Sequence, residues 1–319
     1  MKKILLLSFV LMCCILCNAQ TSVLTQSPKV CINDSLQQII AEEIAKPIHD
    51  KLPEWACGVL INKEGQLVAL YDSSPIHWNV YQNIHPGSIM MPFTILGALL
   101  TNKVDSASAF PITKEGVHTE MYRCYDSRPI NDTLTVSEII AIGSHVGMFE
   151  IFEQTFAADS LSPQYFNAFM HQLGTETNIL NNTDLLKQSY RNEFNISPLH
   201  LTWLYHSLAQ GLIPEEWKES AAIVRQGMHE VVWNNELGTA RKLQWTHGAQ
   251  SKKVKLMGKT GQQRLNGGSN HHLISFCGSF PEESPEYTCL VMMYDPQYPY
   301  SANMDCAVPV RKIAERIYK

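Results

Sequence analysis

The sequence predicts a mixed α+β fold: an antiparallel β-sheet built from N- and C-terminal strands and flanked by helices, with an all-helical lobe between them. Three observations predict it. Strand-like apolar runs lie at Trp55–Leu70 and again between Lys253 and Tyr294. From Thr135 to about Val232 the apolar residues recur at helical spacing instead. No long linker, repeat or low-complexity tract divides the 319 residues. One sheet with a helical insertion is then the economical arrangement.

Each element has its own reason. Asp34 to Asp50 carries Leu36, Ile39, Ile40, Ile44 and Ile48 at helical spacing and stops before Pro53. Trp55–Leu70 is two strands around Lys63-Glu64-Gly65, a β-hairpin. Pro86-Gly87-Ser88 breaks the chain before IMMPFTILGALL, an apolar helix. Pro92 fits only in its first turn, where a missing N–H costs nothing. Ser137 with Ile139, Ile140 and Ile142 begins a helix of the lobe, and Pro163–Leu173 gives another. Ser197-Pro198 caps a third, running through Leu199, Leu201, Leu204 and Leu208 to Gly211, and Val224–Trp233 forms a fourth. Strands return at Lys253–Lys259, His272–Phe280 and Tyr287–Tyr294, with a turn at Pro281–Glu286. Ala307–Tyr318 closes the chain as a helix carrying Ile313 and Ile317 on one face.

Residues 1–19 read as a secretory signal peptide. Lys2 and Lys3 precede an apolar run, Ile4–Cys17, that is shorter than the ~20 residues needed to span a bilayer. Cys17-Asn18-Ala19 then places small residues at a cleavage site. Residues 20–33 follow as a short lead-in, and 34–319 as one domain with its helical lobe at about 135–232. The expected location is the periplasm; a lipid or membrane anchor is the weaker alternative, because Leu16 and Cys13 are poor residues to precede a lipidated cysteine. Removing Lys2 and Lys3 moves the formal charge from -5 to -7, which argues against a general nucleic-acid binder.

The leader also takes Cys13, Cys14 and Cys17, leaving Cys31, Cys57, Cys124, Cys277, Cys289 and Cys306. These form no CxxC pair and no Cys/His cluster at zinc spacing. His271 and His272 are adjacent, so on a strand they face opposite sides. No metal or cofactor is expected. Export permits disulfides, but six cysteines allow 15 pairings and the spacing chooses none of them.

Taken alone, Ser88 is what helix capping predicts, and Lys259-Thr260-Gly261 could be an ordinary turn. Together with their neighbours they carry more. HPGSIMMPFTILGAL, IGSHVGMFEIF, ISPLHLTWLYHSLAQGLI, VRQGMHEVVWNNELGTARKL, LMGKTGQQR and HHLISFCGSFPEESPEYTCLVMMYDP follow one another in this order, after WACGVLINKEGQLVAL. These seven segments resemble, in sequence order, those of the penicillin-binding transpeptidase domain, over about Ala41 to Lys319. The resemblance implies the fold shared with serine β-lactamases, with an active site between sheet and helical lobe. It also implies a serine nucleophile and, as partner, a peptidoglycan stem peptide or β-lactam-like ligand. A cell-wall or division protein is a further implied partner.

The family's chemistry needs a base within reach of the serine. Ser and Lys at i and i+3 share a helix face, so a neutral lysine can take the proton. Here Ser88 holds the nucleophile position, but the residue three further on is Met91, whose thioether is no base. Alignment on Val146-Gly147-Met148 puts Gly143 at the second motif's serine and His145 at its asparagine, with Ser144 the one hydroxyl left between them. The third motif keeps Lys259, Thr260 and Gly261, but Gln262 replaces the usual Thr or Ser. Two expectations follow. In the first, the domain is catalytically impaired and binds stem peptide or a cell-wall partner through Ser144, Lys259, Thr260, Gly261 and Gln262. In the alternative, Ser88 remains an acylating nucleophile with His145 as an unusual base. No acidic neighbour suggests itself to orient that imidazole; Glu150 and Glu153 lie further along the same helix. Trp203, Tyr205 and Trp217 are read as lobe core, and the Asp-Ser/Thr-aliphatic triplets at Asp34, Asp105, Asp132 and Asp159 mostly as helix starts and turns.

Overall fold

The computed structural model describes residues 23–74, 79–175, 177–192, 194–244, 254–264 and 271–319. The predicted leader and its cleavage site lie outside them. Strand β1 (Lys29–Val30) precedes helix α1 (Asp34–Lys51), which Asn33 caps by accepting from Leu36 N–H. Helix α1 ends at Leu52 in the left-handed region, before Pro53. The hairpin β2 (Trp55–Asn62) and β3 (Gln66–Asp72) turns at Gly65, whose φ is +74°. A 3-10 turn, Gly87–Met90, leads into α2 (Met91–Leu99), with Pro92 in the first turn.

Two small ribbons follow that periodicity did not suggest: β4 (Ala109–Ile112) with β7 (Asp132–Thr135), and β5 (Val117–His118) with β6 (Arg123–Cys124). Strands of two to four residues are too short to show an alternating pattern. The lobe then runs α3 (Val136–Ile142), α4 (His145–Phe156), α5 (Ser162–Gln172), α6 (Asn182–Arg191), α7 (Pro198–Gln210) and α8 (Lys218–Trp233). Helix α3 opens on a capping box between Thr135 and Glu138 and stops at Gly143. Ser197 caps α7 with Pro198 behind it. Helix α6, capped by Asn181, went unread because its sequence, NTDLLKQSYR, is mostly polar.

The chain returns as β8 (Met257–Arg264), β9 (His272–Phe280) and β10 (Tyr287–Tyr294), then a π-helical turn, Ala302–Ala307, and α9 (Val308–Ile317). The sheet order is β1-β3-β2-β10-β9-β8. All pairings are antiparallel except the short edge pair β1–β3, which is parallel and draws part of the lead-in into the sheet. The last stretch read as Lys253–Lys259 begins later and continues through the KTG residues to Arg264, paired with His272.

Helix α1 sits backbone-close on one face of the sheet. A Cβ on Gly58 would run into Ile44 Cδ1. Helix α7 covers the other side and is buried from Pro198 to Ala209 except at His200, as a helix wedged between sheet and lobe must be. Phe152, Phe156 and Phe166 pack edge-on in the lobe at 5.0–5.8 Å. Trp203, Tyr205 and Trp217 are core. The six described cysteines are free thiols, five of them buried.

Candidate active site

Between sheet and lobe lies a cleft of about 380 Å³ lined by residues that include Ser88, Gly143, His145, Lys259, Thr260, Gly261 and Gln262. Two glycines allow its walls to meet. Gly87 has φ +68°, and a Cβ there would run into Gln263 at 2.6 Å; a Cβ on Gly261 would lie 2.9 Å from that of Ile89. The 3-10 turn bearing Ser88 therefore packs directly on β8.

Ser88 Oγ lies 3.2 Å from His145 Nε2. His145 is the first residue of α4, so its ring leaves from a helix N-terminus, where positive charge is disfavoured. Its pKa is lowered, chiefly by burial; Asp126 acts to raise it and Lys259 to lower it further. Near neutral pH the ring is uncharged, and Nε2 can accept the Ser88 proton when Nδ1 carries the other.

Asp126 is the acid the sequence did not point to. It comes from the loop after β6, far from His145 in the chain. Its Oδ1 accepts from the backbone N–H of His145 (2.6 Å) and Val146 (3.1 Å), and its Oδ2 from the Ser144 hydroxyl (2.6 Å). The carboxylate thus caps α4 and does not orient the imidazole; among the described residues nothing bonds to His145 Nδ1. Ser144 is not a cleft residue as expected. It is 1% exposed, and its oxygen also accepts from Gly147 N–H at 2.8 Å, so its hydroxyl serves as helix cap.

Met91 lies one turn below Ser88 and is fully buried in the core, without contact with solvent or cleft. Lys259 is 1% exposed, and its Nζ donates to Thr260 O at 3.0 Å. Burial pushes its amine down to about 7. Gly143 has φ +71°, and a Cβ there would sit 3.4 Å from Lys259 Nζ. The residue at the second motif's serine position therefore faces Lys259, but offers it no hydroxyl. Thr260 Oγ1 donates to Thr239 Oγ1 at 2.7 Å. Thr239, Ser127, Arg264, His272, Ser301 and Asn303 also line the cleft, and sequence reasoning placed none of them there. Thr239 had a signal, since it sits in the Gly238-Thr239-Ala240 stretch of the resemblance. Asn303 Oδ1 is buried and has no hydrogen-bond partner among the described residues.

The arrangement supplies a hydroxyl beside a neutral imidazole, a buried amine that gains or loses a proton near neutrality, and a sheet edge along which an extended ligand can lie. Residues 56–319 match the family described as penicillin binding protein transpeptidase domain. No curated protein sequence matches the chain. Among solved structures, the chain is similar to a peptidoglycan glycosyltransferase from Burkholderia ambifaria (TM-score 0.75, 17% identity, 90% of this chain and 95% of that one). It is similar also to the apo TP domain of Burkholderia pseudomallei penicillin-binding protein 3 (TM-score 0.73, 17% identity, the same coverage).

Proposed function

We propose that this chain, which belongs to the penicillin-binding protein transpeptidase domain family, is a periplasmic peptidoglycan-binding member with impaired acyl transfer. Its cleft takes a stem peptide or a β-lactam-like ligand and holds it without efficient turnover. The observation that carries this reading is Met91. It occupies the position from which a lysine would deprotonate Ser88, and it is a thioether sealed in the core. Loss of a positioned base removes about 10²–10⁴-fold of rate. The surviving Lys259 and the β8 edge support retained binding.

One contact favours a second reading, residual acylation through His145: the 3.2 Å approach of its Nε2 to Ser88 Oγ. Among the described residues that pair has no group on Nδ1 to fix the tautomer, and a working serine–imidazole pair usually has one. Purified protein with a fluorescent penicillin separates the readings. We expect no stable Ser88-dependent band, but saturable binding of a D-Ala-D-Ala-ending peptide that Lys259→Ala weakens. A band that Ser88→Ala abolishes would overturn impairment, and its loss in His145→Ala would assign the base. Absence of peptide binding by the unmutated protein would overturn the binding role.

A further inference from the structure

Outside the cleft, three potential metal ligands from separate parts of the chain meet at the end of the sheet. They are Glu54, just before β2; His271, just before β9; and Asp295, just after β10. Their ligand atoms all lie within 4.8 Å of one another. We propose that Glu54, His271 and Asp295 form a binding site for a divalent transition-metal ion of the zinc class.

Register brings them together. Tyr294 pairs with Trp55 on one side and with Leu273 on the other, so the residues flanking these three strand ends must be neighbours. Asp295 is held in the left-handed region (φ +50°), and its N–H donates to His272 O at 2.6 Å. Glu54 N–H donates to Tyr294 O at 3.0 Å. The His271 ring stacks on Tyr294, with centroids 6.0 Å apart. Two of the three ligands are thus tied by backbone bonds and the third by ring stacking, which is the preorganisation a metal site needs.

The charge balance points the same way. His271 Nδ1 lies 2.8 Å from Asp295 Oδ2, while Glu54 forms no ion pair, and no Lys or Arg of the described residues bridges to either carboxylate. Two carboxylates therefore face one imidazole, and a divalent cation would balance both. One nitrogen and two carboxylate oxygens suit zinc at 2.0–2.2 Å, with an open position for water. Zinc ligands in such a site stand about 3–3.5 Å apart. Exposed Glu54 can swing in to close the remaining gap. Sequence spacing concealed the site, because its three ligands lie in widely separated parts of the chain.

The test is titration of chelator-treated full-length protein with zinc chloride by calorimetry, and with cobalt chloride by absorption. We expect one saturable zinc site, and cobalt ligand-field bands in the visible. Glu54→Gln, His271→Asn and Asp295→Asn should each weaken binding at least about tenfold. His229 Nδ1 meets Glu282 Oε1 at 2.5 Å elsewhere on the molecule, and His229→Asn should leave metal binding unchanged. Because Glu54 is exposed, its variant reports on the metal without unfolding the chain. Absence of saturable binding, or binding that survives Glu54→Gln and His271→Asn together, would overturn the proposal.

Discussion

Replacing Lys259 with methionine should make the protein more stable and leave its cleft unable to bind ligand. The side chain is 1% exposed, and its one hydrogen bond is to Thr260 O. Its amine falls from 10.5 to about 7 because burial disfavours the charge. At 1.36 kcal/mol per pH unit, the folded state at pH 7 carries a cost of about 4 kcal/mol relative to an unfolded chain whose lysine is charged in water. Methionine has similar length and no charge, so the variant recovers that cost, less about 1 kcal/mol for the hydrogen bond. The net gain is about 3 kcal/mol at pH 7. The sign with pH follows from the folded value lying below the unfolded one. The wild-type protein gains stability as pH rises from 7 towards 10.5, and the advantage of the variant shrinks to nearly nothing by about pH 10. Urea denaturation of both proteins at the two pH values measures this. A gain below about 1 kcal/mol at pH 7, or an equal gain at both, would refute a buried amine titrating near neutrality.

Three further outcomes are expected. Met91→Lys should not restore acylation and should cost about 3 kcal/mol or more in urea denaturation, because it places an unpaired ammonium in a closed apolar site. Asp126→Ala should lower stability by about 1–3 kcal/mol in the same assay, since it leaves the His145 and Val146 N–H groups and the Ser144 hydroxyl without their acceptor. His206 is fully buried, neither ring nitrogen is bonded among the described residues, and burial lowers its pKa from 6.5 to about 4. It is neutral in both states above about pH 6.5, so stability falls as pH drops from there towards 4, by up to about 3 kcal/mol. His206→Leu should flatten that part of the melting-temperature profile against pH.

Much of this molecule was legible in its residues. Gly65 placed the first hairpin turn, Ser197-Pro198 the start of α7, and Gly211 its end, because caps and turns are local demands met by local chemistry. Ser88 and the Lys259–Gly261 stretch line the cleft as their linear motifs suggested, whereas Met91 is buried beneath it. What was not legible depends on distant segments. Ser144 read as a candidate ligand group, yet Asp126 claims its hydroxyl from a loop far off in the chain. The lead-in read as polar coil, yet Lys29–Val30 finds a partner in β3, and a two-residue strand has no pattern of its own.

The residues alone gave the family, the main strands of the sheet, most helices of the lobe and the absence of an amine three residues after Ser88. Folding settled what stands beside Ser88 instead. It brought His145 Nε2 to 3.2 Å from Ser88, turned Asp126 onto the backbone of α4 and buried Lys259 until its charge became costly. It also gathered Glu54, His271 and Asp295 at one end of the sheet. The physical reason is common to all of these. Caps, turns and periodicity are read within a few residues, whereas proximity and desolvation belong to groups that sheet pairing and packing bring together from distant parts of the chain.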